Sequence, residues 1–292
     1  MLSQRIRELR VAQGYSQVTL AKRLGVSKQA VSNWENDNIQ PSIEMLLRLA
    51  QLFSVSTDYL LGRETHGLMN YPFRTAALAW LRGGDASAFR RDMEEVRENY
   101  PPAAFHSGLN ILGTHDTPRL LTMLGAARTP ESKDDRAAYR LSPEELDMGL
   151  ARLRLGALLL YSFPGSPTVF YGDEAGMQGF EDPLNRGTYP WGQEDSSLLA
   201  YFRQLGTLRK QRLSLQCGDI GYLYAVGGGL VLRRQSEDEV TVAAMNAGMQ
   251  PLELSIPWAG ALAKDALTGQ HFFARNGMLR LTLPPVGGVL LV

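Results

Sequence analysis

The strongest constraint on the fold is a pair of short helical patterns that lie three residues apart near the N-terminus. The patterns cover 17–24 and 28–36, and the residues between them are Gly25, Val26 and Ser27. Glycine allows a tight turn because it has no Cβ, and serine is a preferred residue just before a helix. Two short helices joined by such a turn form a helix-turn-helix motif, which we predict for residues 17–36.

Five short helical patterns of this kind occupy the first 65 residues. Each follows a serine that can accept a hydrogen bond from the first-turn amides, and these serines are Ser3, Ser16, Ser27, Ser42 and Ser56. Apolar residues recur at helical spacing, and we expect one core to contain Ile6, Leu9, Leu20, Ala21, Leu24, Val31, Trp34, Leu46, Leu47 and Leu49. The pattern predicts an all-α helix-turn-helix bundle over residues 1–65.

The third helical pattern has a polar face opposite its apolar residues. That face carries Lys28, Gln29, Ser32 and Asn33. Lysine can pair with guanine edges, and glutamine or asparagine with adenine edges, in the major groove of DNA. Gln17 in the preceding helix, together with Lys22 and Arg23, is suited to phosphate contacts. The alternative interpretation is that the polar face is simply solvated, as it is in most surface helices.

Residues 3–63 resemble the phage-repressor (Cro-like) helix-turn-helix family, through the strings "SQVTLAKRLGVSKQAVSNWEND" and "PSIEMLLRLAQLFSVSTDYLLG". The resemblance implies that double-stranded DNA is the partner and that Gln17, Lys28, Gln29, Ser32 and Asn33 contact it. It also implies a buried structural ion pair between Arg10 and Glu35. Residues 1–64 contain eight basic and six acidic residues, a net charge of +2. We therefore expect affinity to depend on a homodimer that spans two half-sites more than on bulk charge.

The pattern changes after residue 65. Strand-like and helix-like runs alternate over 66–212, which predicts parallel strands with helical crossovers. The strand-like runs are "LMNYPF", "LNILGT" and "PTVFYG", and the helices cover 87–98, 143–161 and 197–212. Residues 213–292 carry short β-rich runs separated by turn residues, which is typical of an antiparallel sandwich: "GLVLRR", "VTVAAMN", "LELSIP", "HFFA", "LRLTLP" and "GGVLLV". The sequence therefore predicts a multi-domain chain.

Residues 68–292 resemble the alpha-amylase family, and within it the neopullulanase and cyclomaltodextrinase-like enzymes. The strings are "GLMNYPF", "NILGTHDTPRLL" and "GSPTVFYGDEAGMQGFEDPLNRGTYPW". The resemblance implies the last three strands of a (β/α) barrel, starting near Leu68, Leu109 and Pro167, followed by the family's β-sandwich. Because a closed barrel takes eight strands and about 250 residues, we expect a truncated barrel with two open sheet edges. Such a portion is expected to pack imperfectly, to associate with another chain or to be partly unstable.

The resemblance also implies a specific chemistry. Retaining hydrolysis of α-glucosidic bonds needs a carboxylate nucleophile and a separate acid/base carboxyl. The family's nucleophile lies in a Gly-x-Arg-x-Asp string, which does not occur in this sequence. His115 and Asp116 match the family's His-Asp pair, which holds sugar hydroxyls and stabilises the transition state. Asp182 and Arg186 match a family loop near the sugar cleft. Asp173 and Glu174 are expected to have local hydrogen-bonding roles rather than to replace the catalytic pair.

Composition limits the partners, cofactors and location that we expect for the chain. Thirty basic and thirty acidic residues cancel, so the charge of the whole chain does not indicate nucleic acid or membrane. The single cysteine, Cys217, cannot form an internal disulfide, which favours a cytoplasmic location. The four histidines lack metal-ligand spacing, and we expect neither a metal nor a cofactor. No apolar run is long enough to span a membrane, and we expect no membrane partner and no signal peptide.

These features lead to four hypotheses. The first is a DNA-binding transcriptional regulator whose glycosidase-like region is inactive. The second is a hydrolase of maltodextrins or cyclodextrins that a partner chain completes, and the third is a regulator that responds to a bound α-glucan. The fourth is a deletion or recombination product, with a fusion junction at residues 63–66 between a complete DNA-binding domain and a truncated glycosidase.

Overall fold

The computed structural model describes residues 2–55, 57–61 and 69–292. The chain divides into two compact units, 1–66 and 67–292, which are described separately below. The expected fusion junction at 63–66 lies outside the described residues.

The described residues of the first unit form five helices. They are α1 (Leu2–Ala12), α2 (Gln17–Leu24), α3 (Lys28–Glu35), α4 (Ile43–Phe53) and α5 (Thr57–Leu61). The turn between α2 and α3 contains Gly25 at φ 71°, in the left-handed region that glycine adopts without strain. The predicted helix-turn-helix is present, with α3 ending one residue earlier than expected.

Three of the five predicted capping serines are confirmed. The Oγ atoms of Ser16, Ser27 and Ser42 accept hydrogen bonds of 3.1, 3.1 and 3.2 Å from amides in the first turns of α2, α3 and α4. The prediction for Ser3 is wrong, because α1 begins at Leu2 and Ser3 therefore lies inside the helix. Ser56 lies outside the described residues.

One apolar core holds the five helices together. Its fully buried members are Ile6, Leu20, Ala21, Leu24, Val31, Trp34, Leu49, Ala50, Phe53 and Leu60. The prediction that Leu47 faces this core is wrong, since its side chain is 52% exposed. The inward stripe of α4 runs through residues 46, 49, 50 and 53 at helical spacing, and position 47 lies outside it.

The second unit begins with a three-stranded parallel sheet in the order β1-β2-β3. The strands are β1 (Met69–Asn70), β2 (Leu109–Ile111) and β3 (Ser166–Thr168). In the centre of the sheet, Asn110 is the register partner of both Asn70 and Pro167. The strands predicted near Leu109 and Pro167 are therefore confirmed. Among the described residues, β1 and β3 each pair with one strand only, which leaves the two predicted open edges.

The string "LMNYPF" was predicted to be a strand, but its second half is helical. Tyr71 begins the helix α6 (Tyr71–Leu81) directly after Asn70. The Asn70 side chain accepts a 3.0 Å hydrogen bond from the amide of Phe73, and Pro72 lies in the first turn. Asparagine as a cap followed by proline is a helix-start signal, and it overrides the strand preference of the aromatic residues.

Seven further helices lie in the described part of the second unit. They are α7 (Ala86–Asn99), α8 (Pro102–Ser107), α9 (Leu120–Gly125), α10 (Lys133–Ala138), α11 (Pro143–Ser162), α12 (Ser196–Gln211) and α13 (Leu213–Cys217). The predicted start of α11 is confirmed, and Ser142 and Glu145 form a reciprocal capping box there. A short 3-10 turn covers Leu184–Arg186. The helices α6, α8, α9, α10 and α13 were not predicted.

Two four-stranded antiparallel sheets complete the second unit. The strands are β4 (Asp219–Val226), β5 (Gly229–Gln235), β6 (Val240–Asn246), β7 (Leu252–Pro257), β8 (Leu262–Lys264), β9 (His271–Arg275), β10 (Met278–Leu283) and β11 (Gly287–Leu291). Their orders are β11-β6-β5-β4 and β7-β10-β9-β8. All six predicted β-rich runs are strands, and β4 and β8 are additional.

The first of these antiparallel sheets is covered on both faces. Along β5, Leu230 and Leu232 belong to the core formed with the helices, while Val231 belongs to the core between the two sheets. The buried guanidinium of Arg234 donates hydrogen bonds to the backbone carbonyls of Ser162 and Gly218. The boundary predicted between 212 and 213 thus falls inside one compact unit with a shared core, and as a domain boundary it stays a prediction.

Within the described ranges, no helix is long and apolar enough to cross a membrane. The same residues contain no cluster of three or more histidine, cysteine, aspartate or glutamate side chains that could hold a metal ion.

Candidate functional site

The helix α3 presents the predicted polar face. Lys28 and Gln29 are exposed and Ser32 and Asn33 are partly buried, while Val31 and Trp34 on the opposite side are buried. The core contacts of Val31 and Trp34 fix the rotation of the helix about its axis. The four polar residues therefore point together away from the first unit's core.

Two side-chain hydrogen bonds organise this face. Gln29 Nε2 donates to Asn33 Oδ1 at 3.1 Å, and Asn36 Nδ2 donates to Ser32 Oγ at 3.3 Å. Both pairs are separated by four residues, which places their side chains next to each other on a helix. The face is thus a set of coupled amide and hydroxyl groups rather than independent side chains.

A buried polar network lies behind α3. Arg10 donates to both carboxylate oxygens of Glu35, from Nε at 2.5 Å and Nη2 at 3.1 Å, and its Nη1 donates to the Tyr15 carbonyl at 2.7 Å. Gln17 Nε2 donates to Glu35 Oε2 at 2.8 Å. The predicted ion pair is therefore present, and the Gln17 amide joins it. A DNA contact by Gln17 stays a prediction.

The charge of Glu35 is stabilised in this network. Burial on its own raises the pKa of Glu35, but hydrogen bonds from Arg10 and Gln17, together with the positive charges of Arg10 and Arg7, lower it below its usual value. The carboxylate remains ionised at neutral pH and ties α1, α2 and α3 together.

In the second unit, the predicted sugar-site residues lie together on an exposed surface. His115 Nε2 is 3.1 Å from Asp116 Oδ1, and Arg186 Nη2 is 3.9 Å from the same oxygen. Arg186 Nε also pairs with Asp182 Oδ1 at 3.1 Å. The side chains of His115 and Asp116 are 55% and 58% exposed. We call these four residues the His-Asp-Arg cluster.

Backbone hydrogen bonds hold the loop that carries His115 and Asp116. The buried Asn185 donates from Nδ2 to the carbonyls of His115 and Thr117, at 2.7 and 2.8 Å. Thr114 Oγ1 accepts a 3.2 Å bond from the amide of Asp116. Asn185 lies in the 3-10 turn next to Arg186, so one turn both fixes this loop and supplies the arginine of the cluster.

The second unit also contains a buried pair of charged groups, Arg119 and Asp173. The two side chains are almost fully buried, and Arg119 Nη1 is 3.7 Å from Asp173 Oδ1. The Arg119 guanidinium stacks on the rings of Phe170 and Tyr171 at 4.4 and 4.5 Å and donates to the Tyr171 carbonyl. The pair thus connects the loop after β2 with the loop after β3.

The Asp173 carboxyl occupies a tight site. Burial raises its pKa to about 7, even though the Arg119 charge and the Leu120 amide favour the ionised form. Gly113 is required next to it, since a Cβ atom there would lie 1.8 Å from Asp173 Oδ2. Asp173 is therefore held among buried groups, and its expected role as a local hydrogen-bonding residue stays a prediction.

The geometry of the His-Asp-Arg cluster suits hydrogen bonding to a polyhydroxylated ligand. Its carboxylates accept hydrogen bonds, the guanidinium donates them, and the imidazole can do either. The Arg186 guanidinium pairs with both Asp116 and Asp182, so the imidazole, the two carboxylates and the guanidinium lie within reach of one ligand.

Comparison with known families gives two matches. The helix-turn-helix family model matches residues 6–60. The alpha amylase, catalytic domain, family model matches residues 37–196, more than half of the chain. The chain belongs to the alpha-amylase family. Its first unit is also a helix-turn-helix domain of the XRE type, so both resemblances predicted from the sequence are confirmed. The two matches overlap over 37–60, where the structure has α4 and part of α5.

Individual relatives extend the alpha-amylase family match. The amylopullulanase of Thermoanaerobacter thermohydrosulfuricus is 31% identical over 284 aligned residues, covering 88% of this chain and 18% of the relative. The cyclomaltodextrinase of Geobacillus thermopakistaniensis (strain MAS1) is 31% identical over 250 residues, covering 83% and 39%. The crystal structure of Ttha1563 from Thermus thermophilus has a TM-score of 0.64 and 28% identity, covering 79% and 48%. The chain therefore spans less than half the length of each.

Two residues of this alpha-amylase family unit were missed by sequence analysis. Arg119 and Asn185 are both fully buried, and both position the loop of the His-Asp-Arg cluster. They stand inside the strings "THDTPR" and "EDPLNR", where charged or amide side chains are normally expected at the surface. An available signal was the apolar run that follows Arg119, because Leu120, Leu121 and Leu124 place that segment in the core.

Proposed function

We propose that the chain is a sequence-specific DNA-binding protein that acts as a transcriptional regulator. The observation that carries this proposal is the polar face of α3, which lies outward on a folded helix-turn-helix unit. Lys28, Gln29, Ser32 and Asn33 are the proposed base contacts, and Gln17 is a proposed backbone contact. A regulator of this kind needs access to the chromosome, and we propose a cytoplasmic location and no membrane partner.

The proposed active form is a homodimer. A single α3 helix reads only a few base pairs, and the first unit's net charge of +2 gives little non-specific affinity. Two copies on inverted half-sites double the contacts. We expect sequence selection from a random duplex library by the full chain to enrich inverted half-sites about 10–10.5 base pairs apart, or a multiple of that spacing.

The Lys28→Ala variant provides the residue-level test of this proposal. It is expected to weaken binding to the enriched duplex by about 5- to 150-fold, the range for a lost base contact. Glu44→Ala on α4 is the control, because its side chain is 77% exposed and away from the proposed contacts. Enrichment of single unpaired sites would overturn the dimer, and a Lys28→Ala variant with unchanged affinity would overturn that contact.

We further propose that the alpha-amylase family unit does not hydrolyse glycosidic bonds on its own. The Gly-x-Arg-x-Asp string of the proposed nucleophile does not occur in the sequence, and a stabilising His-Asp pair cannot form a covalent intermediate without a nucleophile. The alternative, a maltodextrin or cyclodextrin hydrolase completed by a partner chain, is favoured by the exposed pair His115 and Asp116, whose side chains are 3.1 Å apart. Hydrolysis of a chromogenic maltoside by the purified chain, lost in Asp116→Asn, would contradict the proposal.

A second candidate function is α-glucan sensing by the His-Asp-Arg cluster. Its exposed imidazole, carboxylates and guanidinium are suited to sugar hydroxyls, and Asn185 holds two of their loops together. If the cluster binds glucan, titration calorimetry with maltohexaose should give a heat signal that Asp116→Asn abolishes and that the exposed control Asp238→Asn retains. Absence of heat with the native chain would dismiss this candidate.

A further inference from the structure

We propose that Gln29 and Asn33 read DNA as one coupled unit, in which Gln29 specifies an adenine and Asn33 specifies a neighbouring base with a major-groove acceptor. This inference rests on the proposed DNA-binding function and assigns base identities to two of its contacts. Its starting point is the 3.1 Å hydrogen bond from Gln29 Nε2 to Asn33 Oδ1.

The hydrogen bond to Asn33 determines which donor and acceptor groups of Gln29 remain for a base. A carboxamide has two N–H donors and one oxygen acceptor. One Nε2 hydrogen goes to Asn33, so one N–H and Oε1 remain available to a partner. An adjacent donor and acceptor match adenine, which presents N7 as an acceptor and its N6 amino group as a donor. Guanine presents two acceptors at this edge and would leave Oε1 without a partner.

The groups that Asn33 has available for a base are hydrogen-bond donors. Its Oδ1 accepts from Gln29, which directs its Nδ2 amino group, with two donors, away from Gln29. Free donors suit the O6 and N7 of guanine or the O4 of thymine. Without Gln29, the Asn33 amide could turn over and bind an adenine itself. The hydrogen bond therefore sets the preference of Asn33 as well as that of Gln29.

The end of α3 supports this arrangement. The carbonyl of Asn33 accepts backbone hydrogen bonds from the amides of Asn38 at 2.9 Å and Ile39 at 3.4 Å, which fix its main chain. Trp34, the next residue, is buried in the core and fixes the direction in which Asn33 points. A side-chain pair ordered before binding loses less conformational entropy when it contacts DNA.

The helix contains its own matched control. Asn36 and Ser32 form a second hydrogen bond at the same four-residue spacing, 3.3 Å long, at the C-terminal end of α3. Asn36→Ala removes an exposed amide and a hydrogen bond of the same kind without touching Gln29 or Asn33. If the loss of a side-chain hydrogen bond changed base preference only because it loosened α3, Asn36→Ala should change base preference too.

The experiment is sequence selection from a random duplex library with the full chain and five variants. The variants are Gln29→Ala, Asn33→Ala, Asn33→Asp, Asn36→Ala and the double Gln29→Ala/Asn33→Ala. We expect the native motif to contain an adenine that Gln29→Ala no longer selects. Asn33→Ala should lose the neighbouring preference and also weaken the adenine preference. Asn33→Asp retains an acceptor for Gln29 but has no donors. It should therefore keep the preference for adenine and lose the preference at the neighbouring base.

Affinities for the native motif test the coupling directly. Each alanine substitution should weaken binding by about 5- to 150-fold, and the double variant by clearly less than the product of the two. Circular dichroism melting of each variant checks that the first unit is folded. Asn36→Ala should leave the base preferences that depend on Gln29 and Asn33 unchanged, even where it alters the Ser32 contact.

The outcomes separate the inference from the proposed function. An adenine preference that is unchanged in Asn33→Ala, or effects that multiply in the double variant, would overturn the coupling. A native motif whose Gln29-dependent base is not adenine would overturn the base assignment. Failure of the native chain to enrich any sequence would overturn the DNA-binding function itself, and the inference with it.

Discussion

Replacing Glu35 with alanine is expected to destabilise the first unit by about 3–5 kcal/mol, the range for removing one partner of a buried ion pair. The Glu35 side chain is only 2% exposed, and its removal leaves the Arg10 guanidinium, 13% exposed, without its counter-charge. Gln17 loses its hydrogen-bond acceptor at the same time. Because the network joins α1, α2 and α3, we expect the whole first unit to unfold more easily, and not one helix alone.

The measurement is hydrogen exchange by mass spectrometry on the full chain in increasing urea, since peptides from residues 2–55 report the first unit separately. Glu44→Ala is the matched control, because Glu44 and Arg48 form a pair at 3.6 Å in which both side chains are more than half exposed. Exposed pairs contribute little, so this variant should behave like the native protein. Equal stability of the two variants would contradict a structural role for the buried network.

The effect of Glu35→Ala should also depend on pH. A carboxylate whose pKa is lowered in the folded state contributes stability that is present above its unfolded pKa, about 4.5, and is lost as the pH falls through the folded value. The difference between the native protein and Glu35→Ala should therefore be full at pH 7 and shrink below pH 4.5. A difference that stays constant down to pH 3 would show that packing, and not charge, accounts for it.

Replacing Arg119 with methionine is expected to destabilise the second unit by up to about 3–5 kcal/mol, because Asp173 then loses its buried counter-charge. Methionine is similar in length and apolar, and it can fill the space between the rings of Phe170 and Tyr171. What it cannot replace is the charge 3.7 Å from Asp173 or the hydrogen bond to the Tyr171 carbonyl. Arg91→Met, at an exposed pair, is the control and should change little.

The pH dependence distinguishes this mechanism from a loss of packing. The pKa of Asp173 is raised to about 7, so its contribution to stability is full below the unfolded value of 3.8 and is lost as the pH rises through 7. Without Arg119 its pKa rises further, and the loss continues above pH 7. Arg119→Met should therefore be less destabilising at pH 6 than at pH 9, and adding Asp173→Asn should remove the difference. Equal destabilisation at both pH values would contradict an ionic role.

The sequence predicted the first unit better than the second. Local sequence signals determine a small helical bundle. The caps at Ser16, Ser27 and Ser42 and the apolar stripes of the helices were predicted from them, whereas the predictions for Ser3 and Leu47 were wrong. In the second unit, short strands of two or three residues are defined by pairing partners far away in the chain. The helix α6 was missed because its aromatic start at Tyr71 resembles a strand, and only the cap at Asn70 indicates otherwise.

The candidate sites show the same contrast. The exposed residues proposed to act, such as Lys28, Gln29, His115 and Asp116, were singled out from residue type and motif. The residues that hold them were not. Asn185 and Arg119 are polar side chains in the core, and their roles depend on tertiary contacts across at least 52 residues of sequence. The coupling of Gln29 to Asn33 was also missed, although the four-residue spacing on a helix permitted it.

We expect the chain to recognise a specific DNA sequence through the outward face of α3. The most direct test is the affinity of the full chain for its selected duplex, relative to a scrambled duplex at the same salt concentration. We predict a ratio of at least about 10³, as is usual for specific binding, and a ratio near one for the triple variant Lys28→Ala/Gln29→Ala/Asn33→Ala. Equal affinity of the native chain for both duplexes, or an undiminished ratio in the triple variant, would contradict the claim.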